Sequence, residues 1–69
     1  MSLRKRSVVL AGHATSIALE TEFWVVLESM ATARSITIAG LLAQLDQARG
    51  ERPLASACRI AALEFAIQR

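Results

Sequence analysis

Cysteine, proline, glycine and aromatic residues are all scarce in this chain. Its 69 residues include one cysteine, one proline, three glycines, two phenylalanines, one tryptophan and no tyrosine. A single cysteine, Cys58, excludes an internal disulfide framework and is compatible with a reducing cytoplasm. We expect Cys58 to be a small apolar residue on a helix rather than a reactive thiol.

Long apolar runs are absent as well. No uninterrupted apolar segment approaches the ~20 residues that a membrane-spanning helix needs. Near the N-terminus, basic residues precede an apolar stretch as they do in a secretion signal, but His13, Thr15 and Ser16 interrupt that stretch too early. The sequence therefore predicts a soluble, cytoplasmic protein.

Hydrophobic residues, by contrast, make up 54% of the chain. This fraction is too high for a disordered tail, and 69 residues are close to the lower limit for a self-sufficient core. Small domains often complete their burial with a second subunit. We therefore expect an obligate homodimer whose interface buries many of the apolar side chains that one chain cannot bury by itself.

The net charge of +2 is unevenly distributed. Residues 1–19 carry Arg4, Lys5 and Arg6 without an acid, which gives +3, whereas residues 20–69 carry five arginines against six acids, which gives −1. A basic N-terminal segment beside a nearly neutral body suits contact with a polyanion, although a cluster of three cations is equally typical of a solvated surface.

The segment from His13 to Leu19 alternates in the manner of a strand. Its larger side chains, Thr15, Ile17 and Leu19, fall on one face, which we expect to be the inner one. Residues 7–10 are a weak candidate for extending this strand, with Gly12 as a bend or bulge. One strand cannot satisfy its own backbone, so we expect a second copy to supply the partner strand. The outer face of the strand would consist of Ala14, Ser16 and Ala18.

Three helices are predicted after the strand. The first runs from about Thr21 to Arg34, the second begins after Thr37 as its N-cap and ends at Gly50, and the third covers 54–67. The third helix is apolar nearly all round, which suits a cap over the core, a dimer contact or a docking surface for another protein. The expected apolar stripes are Phe23, Leu27, Met30 and Ala31 in the first helix and Ile38, Leu41, Leu42 and Leu45 in the second.

The strand Thr15-Ser16-Ile17-Ala18-Leu19 leads into a helix that opens with Glu20-Thr21-Glu22-Phe23, and Ser35-Ile36-Thr37 opens the next helix. This order resembles the ribbon-helix-helix superfamily of bacterial DNA-binding proteins. The segments Ala11-Gly12-His13 and Ala48-Arg49-Gly50 are similar, more narrowly, to a subfamily of short stand-alone proteins built on this domain. The resemblance extends over nearly the whole chain.

The resemblance implies a mainly helical fold with one short β-strand per chain, an intertwined homodimer and an additional C-terminal helix. Residues 1–12 would be a basic N-terminal arm or in part a strand, residues 13–50 the ribbon-helix-helix core, and residues 51–69 the helix that completes the core or the dimer interface. The dimer core would be formed by Ile17, Leu19, Phe23, Leu27, Leu41, Leu42 and Leu45.

In that fold a two-stranded antiparallel ribbon enters the major groove of DNA. Carried over to this chain, the base-facing residues would be Ala14, Ser16 and Ala18, of which only Ser16 can form a hydrogen bond, so weak sequence specificity is expected. The start of the second helix would anchor a phosphate, and Ser35 stands where the family tends to have glycine. The residues implied in phosphate binding are Arg4, Lys5, Arg6, Ser35, Thr37, Ile38 and Ala39.

Catalytic and metal-binding patterns are not evident. No nucleophile has a base at plausible spacing, and His13 has no second ligand nearby, so we expect His13 to be structural and expect no metal or other cofactor. Two hypotheses follow. The first is a homodimeric DNA-binding transcriptional regulator; the second is a protein-interaction or accessory subunit that uses the same dimeric scaffold to dock a larger protein without reading DNA.

Overall fold

The computed structural model describes residues 2–68, which form a two-stranded hairpin followed by three helices. The mainly helical architecture with an additional C-terminal helix is confirmed, and the number of strands is corrected from one to two. The elements are β1 (Leu3–Leu10), β2 (His13–Glu20), α1 (Thr21–Ala33), α2 (Ile38–Ala48) and α3 (Leu54–Gln68).

The partner of the predicted strand comes from the same chain. β1 pairs with β2 in antiparallel register, from Leu3 opposite Glu20 to Leu10 opposite His13. Ala11 and Gly12 connect the strands, and both have positive φ angles, 51° and 80°. Positive φ at both central residues defines the type I′ turn, whose twist matches that of a hairpin. Residues 7–10 therefore belong to a separate strand, and Gly12 lies in a chain reversal rather than in a bend of one continuous strand.

The inner face of the hairpin packs on the helices. Directly opposite residues in an antiparallel pair share a face, so Val8 and Leu10 of β1 lie on the same side as Ile17 and Leu19 of β2. All four side chains are buried. Burial of both strands by one set of helices explains why the chain folds back instead of leaving β2 unpaired.

α1 begins directly after β2 and buries a slightly different stripe from the predicted one. Leu27, Met30 and Ala31 are buried as expected, but Trp24 is 2% exposed and takes the central place predicted for Phe23, which is half-buried. The indole Nε1 of Trp24 donates a hydrogen bond to the carbonyl oxygen of Arg4 at 2.9 Å. This bond ties α1 to β1, an element whose extent the sequence indicated only weakly.

The connection between α1 and α2 is a tight turn. Ser35 has φ +57°, in the left-handed region, and the amide of Ile36 donates to the carbonyl of Ala31 at 3.0 Å. Thr37 is the N-cap of α2, and its Oγ1 accepts a hydrogen bond from the amide of Gly40 at 3.0 Å. The predicted cap is thus confirmed, and the left-handed turn forms without glycine.

A closed hydrophobic core forms within one chain. α3 contributes Cys58 and Ala62 to it, and the Nε of Arg59 donates to Oε1 of Glu20 at 2.9 Å, which joins α3 to the end of β2. Of the residues expected in a dimer core, five are buried inside the single chain, and Phe23 and Leu45 are half-buried against them. Burial of these side chains therefore does not require a second copy. The five are Ile17, Leu19, Leu27, Leu41 and Leu42.

Candidate nucleic-acid interface

The outer face of the hairpin brings the predicted base-facing residues together with residues from β1. Ala14, Ser16 and Ala18 alternate along β2, and they lie directly opposite Val9, Ser7 and Lys5, respectively. Five of these six side chains are exposed, and Ala18 is half-buried. We call this set the outer face: Lys5, Ser7, Val9, Ala14, Ser16 and Ala18.

The contribution of β1 changes the chemistry of this face. β2 alone presents one hydroxyl and two methyl groups, whereas the hairpin adds the ammonium group of Lys5, the hydroxyl of Ser7 and the apolar side chain of Val9. Opposed Cβ atoms in such pairs lie about 4.5–5.5 Å apart, so the side chains of Ser7 and Ser16 are neighbours on this face. Hydroxyls can donate to or accept from base edges, and methyl groups can contact thymine.

Sequence reasoning treated Lys5 only as a phosphate ligand and missed Ser7 and Val9. The signal for them was the β-branched, apolar segment Val8-Val9-Leu10 immediately before Ala11-Gly12, because a glycine-containing pair between two strand-like segments marks a hairpin.

The predicted basic cluster is divided between the two faces. Lys5 is on the outer face, whereas Arg4 and Arg6 line a cleft on the inner side beside Trp24 and Glu28. Nη1 of Arg6 lies 2.8 Å from Oε2 of Glu28, and the guanidinium carbon is 4.5 Å from the centre of the Trp24 ring. The charge of Arg6 is thus offset within the chain, while Arg4 is exposed.

The N-terminus of α2 forms a separate potential anion-binding element. Thr37 uses its hydroxyl oxygen to cap Gly40, and within residues 2–68 the amides of Ile38 and Ala39 have no backbone or side-chain acceptor. Free amides and the helix dipole both favour an anion. Ser35, Thr37 and Ala39 are exposed. No hydrogen bond or ion pair in the described part of the chain connects this terminus to the outer face.

Glu20, Cys58 and His13 differ in their surroundings. Glu20 ends β2, and the hydrogen bond from Arg59 lowers the pKa of its carboxyl group. Burial raises the pKa of the Cys58 thiol, whose residue has no exposed surface. His13 lies next to the turn, opposite Leu10, and is exposed.

Two further observations bear on function. Residues 2–68 contain no cluster of three or more His, Cys, Asp or Glu side chains able to hold a metal ion. Within the same range, no single helix has both the length and the apolar composition needed to cross a membrane; α1 and α2 meet that test only as a pair bent by 98°.

Comparison with known proteins supports the resemblance noted in the sequence. The family model described as the ribbon-helix-helix domain matches residues 3–66, which include both strands and nearly all of α3. Neither a curated protein nor a solved structure gives a significant match. The match extends over almost the entire chain and agrees with the hairpin followed by helices. The chain therefore belongs to the ribbon-helix-helix domain family.

Proposed function

We propose that this protein binds double-stranded DNA as a homodimer and regulates transcription, with the outer face of the hairpin inserted into the major groove. The observation that carries the proposal is the outer face itself, which is two strands wide, exposed and free of acidic residues between positions 5 and 18. A two-stranded ribbon fits the width of the major groove. The family provides the matching scaffold.

Roles on this surface follow from side-chain chemistry. Ser7 and Ser16 would contact base edges, whereas Ala14, Ala18 and Val9 would offer only apolar contact. A hydroxyl group can both donate and accept a hydrogen bond, so Ser7 and Ser16 would discriminate poorly between bases. Most of the affinity would therefore come from contacts with the DNA backbone.

Phosphate contacts would come from two places. Lys5 lies on the outer face itself, whereas Arg4 is exposed but lies on the inner side of β1, so its side chain would have to reach a phosphate around the edge of the ribbon. The amides of Ile38 and Ala39 at the start of α2, flanked by the hydroxyls of Ser35 and Thr37, would hold a further phosphate. Arg6 is expected to contribute least, because Glu28 already neutralises it.

A salt-titrated binding assay on mixed-sequence duplex DNA tests this proposal. Binding should weaken steeply with salt, and Lys5→Ala should make the slope of log affinity against log salt shallower by about one for each Lys5 that contacts a phosphate. Arg52→Ala is the matched control, because it removes an exposed cation that lies on neither predicted DNA-contacting element.

The outcomes separate clearly. No binding at low salt would reject DNA binding, and equal loss in Lys5→Ala and Arg52→Ala would reject the outer face as the contact surface. Selection from a random duplex library then tests whether the protein reads bases. Changing both Ser7 and Ser16 to Ala should remove any preference for particular base pairs while leaving the affinity for mixed-sequence DNA nearly unchanged.

A second candidate function is the accessory subunit that docks a larger protein without reading DNA. The apolar exposed side of α3 favours it, since Leu63 is 56% exposed and Ile67 is 72% exposed. Its binding would depend mainly on apolar contacts and would change little with salt.

A further inference from the structure

A cleft of about 190 Å³ lies on the inner side of the hairpin, between β1 and the first turns of α1. It is separate from the outer face, because none of the outer-face residues lines it. Its lining brings two guanidinium groups, one carboxylate and one hydroxyl to the edge of an apolar surface. We call it the inner cleft, and it is lined by Arg4, Arg6, Thr21, Trp24, Val25 and Glu28.

One wall of the inner cleft is fixed in position by contacts within the chain. The Trp24 ring is buried, and its Nε1–H donates to the carbonyl oxygen of Arg4 at 2.9 Å. The guanidinium carbon of Arg6 lies 4.5 Å from the centre of that ring, and Nη1 of Arg6 lies 2.8 Å from Oε2 of Glu28. A ligand that binds against this wall would therefore lose little free energy in ordering side chains.

Arg4 is the cation that remains available to a ligand. Within residues 2–68 its guanidinium group has no hydrogen-bond or ion-pair partner, and the residue is exposed. Arg4 and Arg6 are two residues apart in β1, so their side chains leave the strand on the same side, with Cα atoms about 6.6 Å apart. The planar guanidinium group of Arg4 matches a carboxylate, to which it can donate two parallel hydrogen bonds.

The charge of the inner cleft favours a monoanion. Two guanidinium groups and the Glu28 carboxylate give the cleft a formal charge of +1. A ligand with one carboxylate would bring this charge to zero. A phosphate monoester carries roughly −1.5 to −2 at neutral pH, so part of its charge would remain uncompensated close to Glu28.

The other lining residues suit a short hydrocarbon group beside the carboxylate. Val25 is 61% exposed, so its side chain offers apolar surface that a ligand can cover. Oγ1 of Thr21 lies 3.5 Å from the carbonyl oxygen of Ser2, at the long limit of a hydrogen bond, so this hydroxyl can donate to a ligand instead. The cleft is smaller than the roughly 300–1,000 Å³ usual for drug-sized ligands, so its ligand should be small.

We propose that the inner cleft binds a small organic monocarboxylate. Arg4 binds the carboxylate group, Arg6 adds positive charge from the fixed wall, and Val25 contacts the hydrocarbon part of the ligand. The proposal depends neither on DNA binding nor on association with a second copy, so it can be tested on the full chain alone.

A nuclear magnetic resonance titration of the full chain with benzoate tests the proposal. Trp24 is the only tryptophan, so its indole N–H gives one signal that reports directly on the inner cleft. Benzoate should replace chloride at constant ionic strength, because added salt by itself screens charges. The signal should shift and saturate with a dissociation constant between about 0.1 and 10 mM. Benzyl alcohol, which is similar in size but uncharged, should bind at least about tenfold more weakly.

Substitutions at exposed lining positions assign the contacts. Arg4→Gln should weaken benzoate binding about tenfold or more, because it removes the partner of the carboxylate but keeps the main-chain carbonyl that holds Trp24. Arg52→Gln is the matched control, since it removes an exposed cation that does not line the inner cleft. Val25→Ser should weaken benzoate binding about threefold by removing apolar contact. The dispersion of the amide signals checks that each variant is folded.

Inorganic phosphate tests whether charge selects the ligand. Phosphate should bind to the wild type more weakly than benzoate does. Glu28→Gln removes the negative charge from the inner cleft, so it should strengthen phosphate binding about fivefold.

Each part of the proposal has a result that would overturn it. The absence of a saturable shift with benzoate would overturn the inner cleft as a binding site, and equal weakening in Arg4→Gln and Arg52→Gln would overturn the role of Arg4. Tighter binding of phosphate than of benzoate would overturn the assignment to a monocarboxylate, and so would benzyl alcohol that binds as tightly as benzoate. None of these results bears on the outer face, which the DNA-binding assay tests separately.

Discussion

Substitution of Ala11 tests whether the ribbon forms within one chain. Ala11 has φ +51° in the hairpin turn, a conformation that costs an ordinary L-residue roughly 1–2 kcal/mol. Asparagine tolerates this region better, and Asn-Gly is a preferred pair for a type I′ turn. Ala11→Asn should therefore raise the free energy of unfolding by about 0.5–1 kcal/mol, or the melting temperature by about 2–8 °C.

Ala11→Val should have the opposite effect. A β-branched residue at positive φ is strongly disfavoured, so this variant should lose about 1 kcal/mol or more. If two copies instead exchanged β1 and residues 3–20 ran as one extended strand, residue 11 would have negative φ. Valine would then be the better residue, and asparagine the worse one.

Urea and thermal unfolding followed by far-UV circular dichroism measure both effects. The measurements should be made at two protein concentrations, because an intrachain hairpin gives turn effects that do not depend on concentration, whereas an exchanged ribbon links them to association. Stabilisation by Ala11→Val together with destabilisation by Ala11→Asn would refute the intrachain hairpin.

Three further predictions concern the core and the ionisable groups. Leu27→Ala removes a side chain with no exposed surface and should cost about 2–5 kcal/mol in urea unfolding, whereas Val25→Ala, at a position that is 61% exposed, should change stability by no more than about 0.5 kcal/mol. Because the pKa of the Glu20 carboxyl group is lowered in the folded protein, its ionised form stabilises the fold at pH values above the ordinary pKa of 4.5, and this contribution is lost as the pH falls through the lower pKa of the folded state. Arg59→Gln should make stability depend less on pH in this acid range. Equal acid sensitivity of the wild type and the variant would contradict the prediction. The Cys58 thiol has a raised pKa and is buried, so it should react with a thiol reagent only as fast as the protein unfolds; rapid labelling of the native protein would show that it is accessible.

The helices could be predicted closely from the sequence because their ends depend on local chemistry. Thr37 caps α2 with its own side chain, and α1 begins at Thr21 as expected. Periodicity alone could not show which of the two aromatic side chains, Phe23 or Trp24, is fully buried. Trp24 is buried because β1 supplies a carbonyl acceptor for its indole N–H, and that acceptor is 20 residues away in sequence.

The candidate site was only half predictable. Alternation placed Ala14, Ser16 and Ala18 on one face correctly, since the strand period is local. Ser7 and Val9 were missed because their position depends on the pairing of β1 with β2. The three consecutive cations looked like one patch in the sequence, but strand alternation and the carboxylate of Glu28 separate them.

The sequence by itself determined where helices begin and end, which face of β2 is apolar, and which family the chain resembles, because all three depend on residue order and local spacing. The tertiary structure decided which strand pairs with β2, which basic side chains remain free, and that α3 closes the core of a single chain. Those outcomes depend on contacts between residues distant in sequence, where burial and charge pairing select among arrangements that local preferences leave equally accessible.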